Sequence, residues 1–104
     1  MRTAKVYVSG IESGTLSEIE SGKVYRFQYL PEYAGFPISL TMPVSRMAYQ
    51  FDQFPPFFDG LLPEGHQLEG LLKWGKVDKN DYFSQLILVG SDTVGTVTIK
   101  EIDL

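Results

Sequence analysis

The residues that could do chemistry are few and scattered. His66 is the only histidine and there is no cysteine, so multi-histidine and thiolate metal sites, disulfides and thiol nucleophiles are all excluded. Glu64 is near the histidine in sequence and Asp59 lies five residues before Glu64, but a carboxylate pair acts only when held across a cleft in environments that split its roles. As residues near helix ends they read more simply as terminus-stabilising charges. Serines such as Ser9, Ser13, Ser17, Ser39, Ser45, Ser84 and Ser91 offer hydroxyls. None sits in a nucleophile elbow, and only His66 could activate one. Gly90 and Gly95 bracket a turn and do not spell a phosphate loop, and no dinucleotide, Walker or kinase catalytic-loop pattern is present. His66 lies opposite the apolar face of its own segment and is expected at the surface. The expectation is a chain without enzymatic activity, cofactor or metal.

Composition narrows the classes further. The chain has 104 residues, 43% of them hydrophobic, with 7 Phe, 6 Tyr and 1 Trp, enough for one domain over residues 1–104 with an aromatic core. Nine basic against thirteen acidic residues give a net charge of −4. Lys73, Lys76 and Lys79 are diluted by Glu69, Asp78 and Asp81, so direct nucleic-acid binding is not expected. No segment approaches the roughly 18 apolar residues of a membrane span. The opening MRTAKVYVSG runs into a strand and resembles no signal peptide. With no cysteine, a cytoplasmic setting is expected.

The elements follow from periodicity. Residues 5–9 and 11–16 alternate as two strands about a turn at Gly10, with a bulge or bend at Gly14. Residues 18–22 read as a polar link, 23–30 as a third strand, and 38–42 as a short fourth strand closed by Pro43. A helix is expected to start at Pro55 or Pro56 and run through Phe57, Phe58 and Leu61. Pro63 starts a second helix, in which Leu68, Leu71 and Leu72 repeat at helical spacing up to a cap at Gly75. Asp78 or Asn80 caps a third helix with Phe83, Leu86 and Ile87 on one face. Residues 91–95 form a turn, and 96–99 a last β-branched strand that joins the first sheet and buries the helical leucines. The fold class is α+β: a small antiparallel or mixed sheet packed against about three short helices.

The run Pro55–Gly65, PPFFDGLLPEG, resembles the signature of the first N-terminal subdomain of HipA-type toxin kinases. Flanking elements resemble the same family in the same order. They are Gly14-Thr15-Leu16, Phe27-Gln28-Tyr29, the stretch Ile38-Ser39-Leu40-Thr41-Met42-Pro43, Asp81-Tyr82-Phe83 with Leu86, and Gly90, Asp92 and Gly95-Thr96-Val97. Thr96 departs from the family's usual Ala. The resemblance covers almost the whole chain. It implies a free-standing small protein, similar to the HipS-like member of three-gene HipBST-type toxin–antitoxin systems. Such a protein binds and neutralises a HipA-type Ser/Thr kinase that lacks this subdomain, and meets operator DNA only through a helix-turn-helix partner. The alternatives are an interaction subunit of such a complex without inhibitory activity, and an N-terminal fragment of a full-length kinase.

Partner-binding candidates are Trp74, Leu88, Phe54 and Pro55. Trp74 lies about 110° from the centre of the leucine face, at roughly 100° per residue, and tryptophan is enriched at binding hot spots. Leu88 points away from the face of Phe83, Leu86 and Ile87. Phe57, Phe58, Gly60, Leu61, Leu62, Pro63, Glu64 and Gly65 read mainly as fold-specifying: phenylalanines and leucines fill a helix junction, Gly60 allows close approach, and Pro63 and Glu64 start the next helix.

Overall fold

The computed structural model describes residues 1–90 and 96–102. Five strands form one sheet in the order β4-β3-β2-β1-β5, and every pair is antiparallel. They are β1 (Arg2–Val8), β2 (Ile11–Glu20), β3 (Val24–Tyr29), β4 (Ala48–Phe51) and β5 (Val97–Glu101). Between β4 and β5 the chain forms α1 (Pro56–Asp59), α2 (Gly65–Gly75) and α3 (Tyr82–Val89). The fold is α+β, as the periodicity predicts, and the last strand does join the sheet, beside β1. The expected turn at 91–95 lies outside the described residues.

Alternation decides which face is covered. Ala4, Val6 and Val8 of β1, Leu16 of β2, Tyr25, Phe27 and Tyr29 of β3, Tyr49 of β4, and Val97 and Ile99 of β5 are buried on one face. Phe58 of α1 meets Phe27 at 5.9 Å between ring centroids, and Phe83 and Leu86 of α3 complete the core. The other face carries residues such as Lys5, Tyr7, Thr15 and Gln28, none of them fully buried. The β1–β2 turn is a two-residue hairpin with positive φ at Ser9 and Gly10, the backbone that matches strand twist. The bulge expected near Gly14 is present: Val6 pairs Gly14 while Tyr7 pairs Glu12, leaving Ser13 extra, its hydroxyl donating to the Val6 carbonyl at 2.9 Å. A Cβ on Gly14 would lie 2.4 Å from the Gln28 oxygen.

Three expectations fail. Residues 18–20 are not a link but continue β2, because Glu18 is neutralised inside the fold. The fourth strand is Ala48–Phe51, not 38–42. Residues 38–42 make only a Ser39–Met42 bridge, closed by Met42 N–H donating to Ser39 O at 3.0 Å, so they turn instead of extending. Finally, α2 has no buried residue. Leu68, Leu71 and Leu72 are only half-buried, since α2 packs on α3 rather than on the sheet.

Candidate partner-binding surface

The polar groups that the fold gathers most tightly are fastened to one another. Arg2 donates to both oxygens of Glu18 (2.8 and 2.9 Å), to Asp81 at 2.9 Å and to Ser84 Oγ at 2.7 Å. Glu18, only 5% exposed, also accepts from the Gly22 amide (3.2 Å) and the Tyr25 hydroxyl (3.2 Å). The guanidinium lies 4.9 Å from the Phe83 ring centroid. These contacts tie the start of β1 to β2 and to the start of α3. The Arg2 hydrogen bonds hold the Glu18 carboxyl below its ordinary range against the opposing effect of burial. Burial raises Asp81, but Arg2 and Ser84 outweigh it and the net direction is down. Burial, then the Glu18 charge, pushes the Tyr25 phenol up to about 12. Carboxylates held ionised and saturated with donors are fasteners, not proton-transfer groups. The sequence offered no local signal for this cluster, because Arg2 and Asp81 are 79 residues apart.

The helix caps refine the expectations. Asp81, not Asp78 or Asn80, is the N-cap of α3, accepting from the Ser84 amide at 3.2 Å. Asp78 instead caps the turn before it, accepting from the Asn80 amide at 2.7 Å. Glu64 stands at the N-cap of α2 but makes no side-chain cap hydrogen bond. The left-handed residue ending α2 is Lys76, φ 54°. Gly75 serves a different end: a Cβ there would lie 2.2 Å from Leu88 Cδ2, so the glycine lets α2 approach α3.

The signature run sits where the fold needs it. Pro56 opens α1 in its first turn and Phe58 is buried. Phe57, Leu61 and Leu62 pack partly buried against the core. Pro63 precedes α2, and Gly65 opens it with φ +59°, a left-handed backbone that favours glycine. Gly60, by contrast, has only its own turn beside it, the carbonyls of Phe57 and Pro56.

Of the four partner-binding candidates, only Trp74 is held out. It is 76% exposed on α2, the helix that contributes nothing fully buried. Leu88 is half-buried against Gly75. Phe54 is buried, edge-on to Tyr25 at 5.3 Å and tilted against Tyr82 at 5.6 Å, and Pro55 is fully buried. Sequence spacing missed the two most exposed large apolar side chains among the described residues, Phe36 and Leu40. Pro37 between them was the available sign of irregular backbone. His66 is at the surface, 3.5 Å from Glu69. Among the described residues no group of three His, Cys, Asp or Glu could hold a metal, and no helix is long and apolar enough to cross a membrane.

Residues 4–100 match the HipA N-terminal domain family. The chain belongs to that family. The HipA N-terminal domain is thus what these residues form, and the kinase catalytic domain is not among them. A protein of Haemophilus influenzae (strain ATCC 51907 / DSM 11121 / KW20 / Rd), described as uncharacterized, is 33% identical over 101 residues, 97% of this chain and 93% of that one. A solved structure of an N-terminal domain of HipA toxin superposes with a TM-score of 0.77 at 30% identity, covering 99% of this chain and 94% of that chain. A HipA chain solved with HipB and operator DNA from Shewanella oneidensis MR-1 matches with a TM-score of 0.71 over 93% of this chain. At 23% identity that likeness concerns the fold, and the match covers only 23% of that chain.

Proposed function

We propose that this HipA N-terminal domain protein is an antitoxin-like regulator that binds a HipA-type Ser/Thr kinase lacking this subdomain and neutralises it in the cytoplasm. The observation that carries the reading is α2. In a domain of this family, an 11-residue helix lies outside the core and holds out a tryptophan. Exposed tryptophan on a half-apolar helix is costly to leave in water and is repaid when a partner covers it. The saturated Arg2–Glu18–Asp81 cluster and the solvent-facing His66 favour binding over chemistry. The net charge of −4 favours an indirect route to DNA, through a separate helix-turn-helix protein bound to the kinase. The HipA–HipB–operator complex of the Shewanella relative is the kind of assembly in which such a regulator would act.

The test is co-expression with a HipA-type kinase encoded beside this chain, followed by co-purification and a kinase assay. A stable complex with at least about tenfold lower phosphorylation is expected. A complex with undiminished activity would reassign the chain as an interaction subunit, and no complex at all would refute the reading.

A further inference from the structure

Residues 31–47, between β3 and β4, hold little regular structure, yet the backbone is fixed from three sides by tyrosine hydroxyls. Tyr33 donates to Phe36 O and Tyr49 donates to Pro43 O at 2.6 Å. Tyr29 accepts from the Ile38 amide at 3.0 Å and donates to Met42 O. Tyr29 and Tyr33 stack in parallel, 5.9 Å apart. Ile38 and Met42 point into the core, while between and before them Phe36 is 83% and Leu40 96% exposed. Leu40 stands at the tip of the Ser39–Met42 turn. The only charges in the segment, Glu32 and Arg46, lie near its ends, so the tip is uncharged.

We infer that this braced loop is a second, preformed contact through which the partner of α2 is also gripped, Phe36 and Leu40 entering an uncharged apolar recess on it. The inference rests on the kinase-binding reading above. Pre-organisation is what distinguishes this loop from an ordinary surface segment. A backbone already fixed by buried and part-buried hydroxyls loses little freedom on binding, so the exposed side chains return most of their burial as affinity. Area decides between occupants. A Phe and a Leu offer roughly 250–400 Å², well short of the roughly 800 Å² per partner that a stable interface of its own needs. A second copy of this chain held by the loop alone would therefore dissociate, whereas a partner already held at α2 gains the loop as an added contact.

The experiment compares wild type, Phe36→Ala/Leu40→Ala and Tyr33→Phe in calorimetric titration against the purified kinase, with chemical unfolding and sedimentation of each variant alone. The double variant is expected to unfold like wild type and to raise Kd at least about tenfold. Tyr33→Phe, which keeps both apolar side chains but removes the brace at Phe36, is expected to raise Kd by a smaller factor. Combined with Trp74→Ala, the two losses should multiply, as for separate contacts to one partner. Wild-type binding that the double variant leaves unchanged would overturn the inference alone. A concentration-dependent dimer of the free chain, lost in the double variant, would overturn it by giving the patch to a second copy. Failure of wild type to bind at all would defeat the kinase-binding reading, and this inference with it.

Discussion

Two glycines fix how α3 meets its neighbours, and they differ in what they face. A Cβ at Gly90 would lie 2.4 Å from the Ile99 carbonyl oxygen, whereas one at Gly75 would meet the far end of the Leu88 side chain. Backbone cannot yield, and the Ile99 amide also donates to Gly90 O at 2.7 Å. A leucine methyl can rotate away. Gly90→Ala is therefore expected to cost about 3 kcal/mol, and Gly75→Ala about 1 kcal/mol, read from urea unfolding midpoints at constant slope. Equal losses would mean that α3 does not close on β5 as described. The Arg2 cluster sets the pH dependence at the same scale. Glu18 and Asp81 sit below their ordinary range, so the stability they contribute is whole above that range and fades as pH falls through their folded values. Tyr25, raised from 10.0 to about 12, contributes stability that is whole below 10 and is lost as pH rises from there toward 12. Glu18→Gln is expected to cost about 1–3 kcal/mol near neutrality and to flatten the acid side of the stability curve. An unchanged acid limb in unfolding titrations between pH 2 and pH 7 (roughly the span of carboxylate titration) would show that the cluster is decorative.

At the scale of elements, α2 is the exception to an otherwise well-buried arrangement. Leu71→Ala on α2 is expected to cost about 1 kcal/mol or less, while Leu86→Ala on α3, fully buried, should cost about 2–5 kcal/mol. Amide exchange should rank the helices the same way, α2 opening well below the global unfolding free energy. If Leu71 proves as costly as Leu86, α2 belongs to the core. That difference was not legible in the sequence. Leu68, Leu71 and Leu72 repeat at helical spacing whether the apolar stripe meets a sheet or another helix's flank, and period alone does not say which. The third strand was legible, by contrast, although Val24 does not share the buried face of Tyr25, Phe27 and Tyr29, and Pro56 announced the start of α1. Glu18 misled because its charge reads as solvent-facing until Arg2 is brought to it from another strand. Residues 38–42 misled because alternation was real but was met by tyrosine hydroxyls and a tight turn instead of a neighbouring strand. Leu88 was read as outward because it points away from the face of Phe83, Leu86 and Ile87, and α2, which receives it at Gly75, covers that other side.

The whole molecule divides into a sheet that forms the core with α1 and α3, and an outer helix, α2, that has no buried residue. Membership of the HipA N-terminal domain family covers residues 4–100, and the proposed partner binding rests on the exposed Trp74 of the outer helix. A tryptophan seated in a partner pocket buries about 150–250 Å² and typically costs at least about 2 kcal/mol of binding when truncated. The most direct measurement is therefore Trp74→Ala, titrated calorimetrically against the purified HipA-type kinase and unfolded chemically on its own. The account predicts an unfolding free energy within about 0.5 kcal/mol of wild type and a Kd raised about thirtyfold or more. Full affinity retained at full stability would contradict it, as would a loss of stability as large as that of Leu86→Ala.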